Sequence, residues 1–143
     1  MIRFFKQTDL DQVMSIWLTG NLQAHDFIHH QYWKEQADSV SQAITDAEVL
    51  VYTDEDDNVL AFIGLVDTYI AGLFVHRDHR SKGLGHALME EVKKRKKQLT
   101  LAVYERNKGA TNFYLREGFI RVDSHDDPTT HEKEWILEWN LGN

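Results

Sequence analysis

Arg80, Lys82, Gly83 and Gly85 stand close together between an apolar run and a helix-like pattern, and residues of those types at that spacing suit a diphosphate. Before them, Tyr69, Ile70, Leu73, Phe74 and Val75 favour a buried strand; after them, Leu84, Ala87, Leu88 and Val92 recur at helical spacing. The glycines therefore fall at a helix N-terminus. There the first-turn N–H groups have no intrahelical acceptor, the helix dipole is positive, and a missing Cβ lets phosphate oxygens approach the backbone. Arg80 and Lys82 add full charge at the same place. Taken alone, the run also fits a tight strand-to-helix turn with basic residues in solvent.

A second run of interest is Val103-Tyr104-Glu105-Arg106-Asn107 followed by Ala110, Phe113-Tyr114 and Gly118-Phe119. Asn107 opens a predicted helix, which its side chain can cap. Tyr114 follows seven residues later, two helical turns on, so the two side chains share a face.

These segments need a scaffold, and the chain has material for one. It has 143 residues, 42% of them hydrophobic and 11% aromatic, which predicts a single domain over residues 1–143 with a sizeable core. Ile2, Phe4 and Lys6 alternate as in a short strand. Thr8 can cap a helix carrying Leu10, Val13, Met14, Trp17 and Leu18 on one face, with Gly20-Asn21 marking its end. A second helix is expected from Ile28 to Ala47. Glu48 to Thr53 and Val59 to Thr68 read as a hairpin around the acidic turn Asp54 to Asp57, continuing into a strand over Tyr69 to Val75. Gly72 beside this last stretch is consistent with a bulge or a close backbone approach. Then come a helix from Leu84 to about Lys97, a strand Leu99 to Val103, and a helix from Asn107 or Lys108 to Arg116 closed by Gly118. Strands Phe119 to Val122 and Trp135 to Trp139 complete the order. The fold class is α/β with a mixed, mostly antiparallel sheet, because the strand–helix–strand unit around the glycines needs a crossover.

The spacing Arg80-x-x-Gly83-x-Gly85 resembles the acetyl-coenzyme A loop of the GCN5-related N-acetyltransferase (GNAT) family, and the Asn107 to Phe119 segment is similar to a second family signature in the expected order. The resemblance covers nearly the whole chain. It implies six to seven strands flanked by about four helices, with a parallel pair that splays to admit the pantetheine arm of acetyl-CoA. Carried over, Phe74 and Val75 offer backbone groups to pantetheine, and Arg80, Ser81, Lys82, Gly83, Leu84, Gly85 and His86 form the diphosphate loop. Asn107 caps its helix or reaches a pantetheine carbonyl. Tyr114 is implied as the acid that protonates the departing thiolate, a role a neutral phenol can fill; a core tyrosine beside Phe113 is the plainer alternative. The implied reaction is direct attack of a primary amine on acetyl-CoA, the acceptor being a protein lysine or a small molecule, with the oxyanion held by a backbone N–H near Val75. A non-catalytic acyl-CoA sensor of the same fold is the alternative.

An ammonium acceptor must first lose a proton, so a base is needed. Glu105, Asp67 and the His25-Asp26 pair are candidates. His25-Asp26-Phe27-Ile28 followed by Tyr32-Trp33 resembles a small bacterial subgroup of the family, some members of which acetylate protein lysines. No cysteine is present, which excludes thiolate catalysis, disulfides and cysteine-bound zinc. No metal is expected, since the histidines lack a ligand-like spacing with a carboxylate. The formal net charge of −7 argues against nucleic acid, and Lys93 to Lys97 reads as the solvated end of a helix. With no long apolar run and no leader-like N-terminus, a cytoplasmic protein without membrane contact is expected, a monomer or a homodimer.

Overall fold

The computed structural model describes residues 1–142. Seven strands form one sheet: β1 Ile2–Phe4, β2 Glu48–Thr53, β3 Val59–Val66, β4 Tyr69–Val75, β5 Gln98–Tyr104, β6 Ile120–Asp126 and β7 Lys133–Asn140. Their spatial order is β1-β2-β3-β4-β5-β7-β6, and only β4 and β5 run parallel. Four helices flank the sheet: α1 Leu10–Ala24, α2 His30–Asp46, α3 Leu84–Arg95 and α4 Lys108–Arg116. The expected α/β architecture is thus present, with the crossover helix α3 between the parallel strands.

Strand alternation divides the apolar residues between two cores. Leu99, Leu101, Val103 and Leu137 face the layer containing Leu84, Leu88, Met89, Val92, Tyr114 and Phe119. Phe62, Val49, Val51 and Tyr104 face the layer of Val13, Ile16, Trp17 and Trp33. Trp135 and Trp139 share one side and pack against the first layer, as their even spacing predicts.

Several boundaries differ from the sequence expectation. The cap of α1 is Asp9 rather than Thr8, and a 3-10 turn over Gln7–Asp9 precedes the helix. Arg3 explains this: its guanidinium grips Asp9 through two bonds of 2.8 and 2.9 Å, while Asp9 Oδ2 also accepts the Lys6 N–H at 2.8 Å. That bidentate pair holds the Asp9 carboxyl below the usual carboxylate range. Helix α1 does not stop at Gly20-Asn21 but runs to Ala24, because Gly20 is needed inside it. A Cβ there would lie 2.9 Å from the Phe74 ring, and a Cβ at Gly72 would lie 2.7 Å from the same ring. Phe74 also stacks on Phe62 at 5.4 Å, so its ring is held on three sides. Helix α2 begins at His30, capped by His29, and α3 ends at Arg95. Strand β3 stops at Val66, because Asp67 turns the chain with φ of 56°, and β6 runs on to Asp126.

The acidic turn is a hairpin turn. Asp54 accepts the N–H groups of Asp56 and Asn58, and Asp57 sits at φ 64°.

Because the Phe74 ring has nowhere to go, Gly72→Ala is expected to destabilise the protein by about 1–3 kcal/mol. Chemical denaturation checks this, and adding Phe74→Leu should restore part of the loss.

Candidate active site

Strand β4 follows β3 in antiparallel register, but the register slips between Gly64 and Leu65, leaving Ala71 without a partner. This bulge bends β4, and beyond it β4 departs from β5. Their pairing is confined to Tyr69 opposite Thr100, with the Thr100 N–H donating to the Thr68 carbonyl at 2.9 Å. A cleft opens from there towards Val75 and Tyr104.

Hydrogen-bond alternation decides which backbone groups line that cleft. The His76 N–H donates to the Leu60 carbonyl at 2.7 Å, so His76 and, two residues back, Phe74 turn their backbones to β3. Leu73 and Val75 turn theirs to the cleft. The expectation of Phe74 as a backbone partner is therefore corrected: its backbone is used by the sheet and its ring by the core. Leu73 replaces it, and strict alternation from a known register would have found it. Opposite, Ala102 turns its N–H towards the cleft, and Tyr104 spends its carbonyl on the Asn107 N–H at 2.9 Å.

Past Val75, a 3-10 turn over Arg77–His79 leads to the loop. Arg80 reaches back to the Val75 carbonyl with Nε at 3.4 Å. Ser81 has φ 63°, and Gly83, the N-cap of α3, has φ 81°. A left-handed Gly83 carries no steric cost, whereas a side chain there would be strained. The first bond of α3 runs from the Ala87 N–H to Gly83, and no side chain caps the helix, so the N–H groups of Leu84, Gly85 and His86 remain available. Arg80, Ser81, Lys82 and Gly83 are exposed around them, while the Leu84 side chain is in the core. Gly85 serves packing: a Cβ there would meet the Phe113 ring at 3.4 Å.

Asn107 performs the cap and something more. Its Oδ1 accepts the Ala110 N–H at 3.2 Å, and its Nδ2 contacts His25 Nε2 at 3.0 Å. His25 Nδ1 lies 2.8 Å from Asn21 Oδ1, and Asn21 Nδ2 donates to the Trp17 carbonyl at 2.9 Å. Only one proton arrangement satisfies this chain: a neutral imidazole that donates from Nδ1 and accepts at Nε2. Burial agrees, pulling the His25 pKa down to about 4. His25 is thus the C-cap of α1, not an N-cap or an exposed residue, and with both nitrogens engaged it is no base. Its ring stacks on Trp33 at 5.4 Å and meets Phe27 and Tyr104 edge-on. Tyr32 meets Trp33 at 4.9 Å, so the aromatic patch read from the sequence does assemble.

Tyr114 is buried between Phe113 and Phe119. Its hydroxyl makes no hydrogen bond within the described residues, yet it is not sealed off as Trp33 Nε1 is. Burial raises its pKa further above the ordinary phenol value, keeping it protonated. Asp67 is an exposed turn residue, and Glu105 pairs with Lys133 at 3.5 Å. His86 points to Glu117 Oε2 at 2.7 Å and, with Glu90, forms the one group of possible metal ligands among the described residues. Lys93 lies 3.3 Å from Glu117 and 3.7 Å from Glu90, so an ammonium already supplies the positive charge there.

A sheet opened at a parallel pair, beside a helix N-terminus with unpaired N–H groups, is the layout that the resemblance to an acetyl-CoA-dependent acyltransferase implies. Residues 18–132 match the family described as the acetyltransferase (GNAT) domain. Peptidyl-lysine N-acetyltransferase YiaC of Escherichia coli K12 is 33% identical over 141 residues, covering 97% of this chain and 96% of that one. Peptidyl-lysine N-acetyltransferase YjaB of the same organism is 30% identical over 118 residues, 82% and 80% of the two chains. The solution structure of apo YjaB from Escherichia coli superposes with a TM-score of 0.87 at 26% identity, covering 99% and 98%. The chain belongs to the GNAT family, and it is an acetyl-CoA-dependent N-acetyltransferase. No helix among the described residues is long and apolar enough to cross a membrane.

The buried neutral His25 fixes a pH dependence. Its folded pKa lies below the unfolded value of about 6.5, so the unfolded chain takes up a proton that the folded one refuses. Stability is full above pH 6.5 and is lost as pH falls towards 4; between pH 7 and pH 5 the loss should be roughly 2 kcal/mol. Urea melts at the two values check this, and His25→Gln should remove most of that slope while lowering stability at pH 7.

Proposed function

We propose that this chain acetylates lysine side chains of proteins or peptides, as a single cytoplasmic domain acting as a monomer or homodimer and without nucleic acid. The observation that carries the reading is the cleft: the backbone of Leu73 and the N–H of Val75, turned away from β3, on one wall, continuous with the unpaired first turn of α3. The relatives are named peptidyl-lysine N-acetyltransferases, which supports the choice of acceptor.

In this reading the N–H groups of Leu84, Gly85 and His86, with Arg80, Ser81, Lys82 and Gly83, hold the diphosphate of acetyl-CoA, and Leu73 and Val75 pair with its pantetheine amides. Asn107 fixes the start of α4, and hence Tyr114, through its bonds to His25 and Ala110, and its second amide N–H is left to reach a pantetheine carbonyl. The neutral amine attacks the thioester carbon. In this reading the oxyanion is held by a backbone N–H near Val75, that of Leu73, which turns away from β3. As the carbon–sulfur bond breaks, the Tyr114 hydroxyl donates its proton to the thiolate and is restored by the proton released from nitrogen.

Thiol release from acetyl-CoA, with mass spectrometry of lysine peptides and small amines, tests the assignment. Lysine peptides should be acetylated and lysine-blocked ones should not; coenzyme A binding without turnover on any acceptor would overturn it. Tyr114→Phe should lower kcat by about 10²-fold or more while leaving the KM for acetyl-CoA nearly unchanged.

A further inference from the structure

The sheet face that carries Tyr104 also carries Tyr69, Thr100 and Ala102, with Glu134 and Ile136 beside them on β7. Phe62 and Phe74 on this face are covered by α1, but Thr100, Ala102, Glu134 and Ile136 keep partial exposure and Tyr69 is 42% exposed. What we call a trough is therefore the partly exposed strip of this face across β4, β5 and β7, starting at the Tyr69–Thr100 pair where the cleft closes. Small Ala102 forms its floor, and Tyr104, directly opposite Glu134 in register, forms one wall with Tyr32 of α2 near by.

Two carboxylates look into this trough, and their bonding differs. Asp127 Oδ1 accepts the N–H groups of Thr129 and Thr130 at 2.8 and 3.2 Å, and its Oδ2 accepts the Tyr104 hydroxyl at 2.9 Å. Three donors tie it down as a post for the loop before β7. Among the described residues Glu134 has one hydrogen-bond partner, His125 Nε2 at 3.0 Å from Oε1, and none at its other oxygen. The Glu134 side chain is only 16% exposed, whereas His125 is 48% exposed. A shielded carboxylate thus ends in a surface imidazole.

We infer that Glu134 is the proton acceptor for the incoming amine and that His125 is the exit by which this proton reaches solvent. The inference rests on the amine acceptor of the proposed reaction, though not on that amine belonging to a peptide. The ammonium gives one proton to Glu134, leaving a neutral nitrogen whose lone pair forms the new carbon–nitrogen bond. Glu134 hands the proton to His125 and then to water, and one proton is released per turnover. Phenol rings beside the carboxylates suit an alkylammonium, which is attracted to both. The groups facing Glu134 are His125 on β6, Asp127 in the following loop, Tyr104 on β5, Tyr69 on β4 and Tyr32 on α2. Burial and the neighbouring Asp127 move the Glu134 pKa upward, opposed by His125, in the direction that makes a carboxylate a better base near neutrality.

The test is the pH profile of Glu134→Gln on whichever amine the wild type acetylates best, with melting temperature and coenzyme A affinity as controls. At pH 7, kcat/KM should fall by about 10²–10⁴-fold, and the gap should narrow as pH rises towards the pKa of the amine itself, about 10.4 for lysine. An unchanged rate, or a loss of equal size at every pH, overturns the inference. If small amines are acetylated but peptides are not, the peptide assignment fails and Glu134 is still tested. Independently of turnover, the carboxyl carbon resonance of Glu134 should titrate above the ordinary glutamate range and shift on adding N-acetyl-lysine amide; the absence of both also overturns it.

Discussion

The parting of β4 from β5 is the constraint on which everything else in this molecule depends. Parallel strands normally exchange evenly spaced hydrogen bonds along their length. Here a single unpartnered residue, Ala71, bends β4 after Tyr69 and the pairing ends at once. One bulge thereby frees backbone groups on both walls, aims β4 at the glycine loop, and leaves Tyr69 and Ala102 at the point where the strands diverge. The closing of the sheet on the far side compensates: β5 pairs with β7 along its whole length, from Gln98 to Tyr104. The gap is thus bordered on one side by a strand paired along its whole length.

Two devices keep the gap in register with the helices. Phe74 is a wedge whose fit requires glycine at 20 on α1 and glycine at 72 on β4. The chain from Trp17 through Asn21, His25 and Asn107 to Ala110 is the other, joining the end of α1 to the start of α4 across 82 residues of sequence at its longest step. Each link has only one workable donor and acceptor, so the chain specifies a protonation state as well as a geometry. It also gives the His25 imidazole a structural task at both nitrogens.

Much of this was legible in the sequence. Period-two and period-3.6 patterns located all seven strands and four helices, and two short signatures fell on the glycine loop before α3 and on the start of α4. What could not be read depends on partners remote in sequence. Arg3 chooses Asp9 over Thr8 as a cap; Phe74 recruits Gly20 into a helix that its residue type would otherwise end; the sheet register gives Leu73, not Phe74, to the cleft. Glu134 escaped notice because β7 looks like an ordinary closing strand. Its position opposite Tyr104 appears only once β7 is known to lie between β5 and β6.

The proposed pairing of Leu73 and Val75 with the pantetheine arm has a thermodynamic consequence. A sheet completed by its own co-substrate is stabilised by occupancy, and a ligand at 100 times its dissociation constant adds about 2.7 kcal/mol to the folded state. Folding and charging of this enzyme are therefore one linked equilibrium. A cell rich in acetyl-CoA holds the chain in its most durable form, and starvation for acetyl groups withdraws the missing strand along with the substrate.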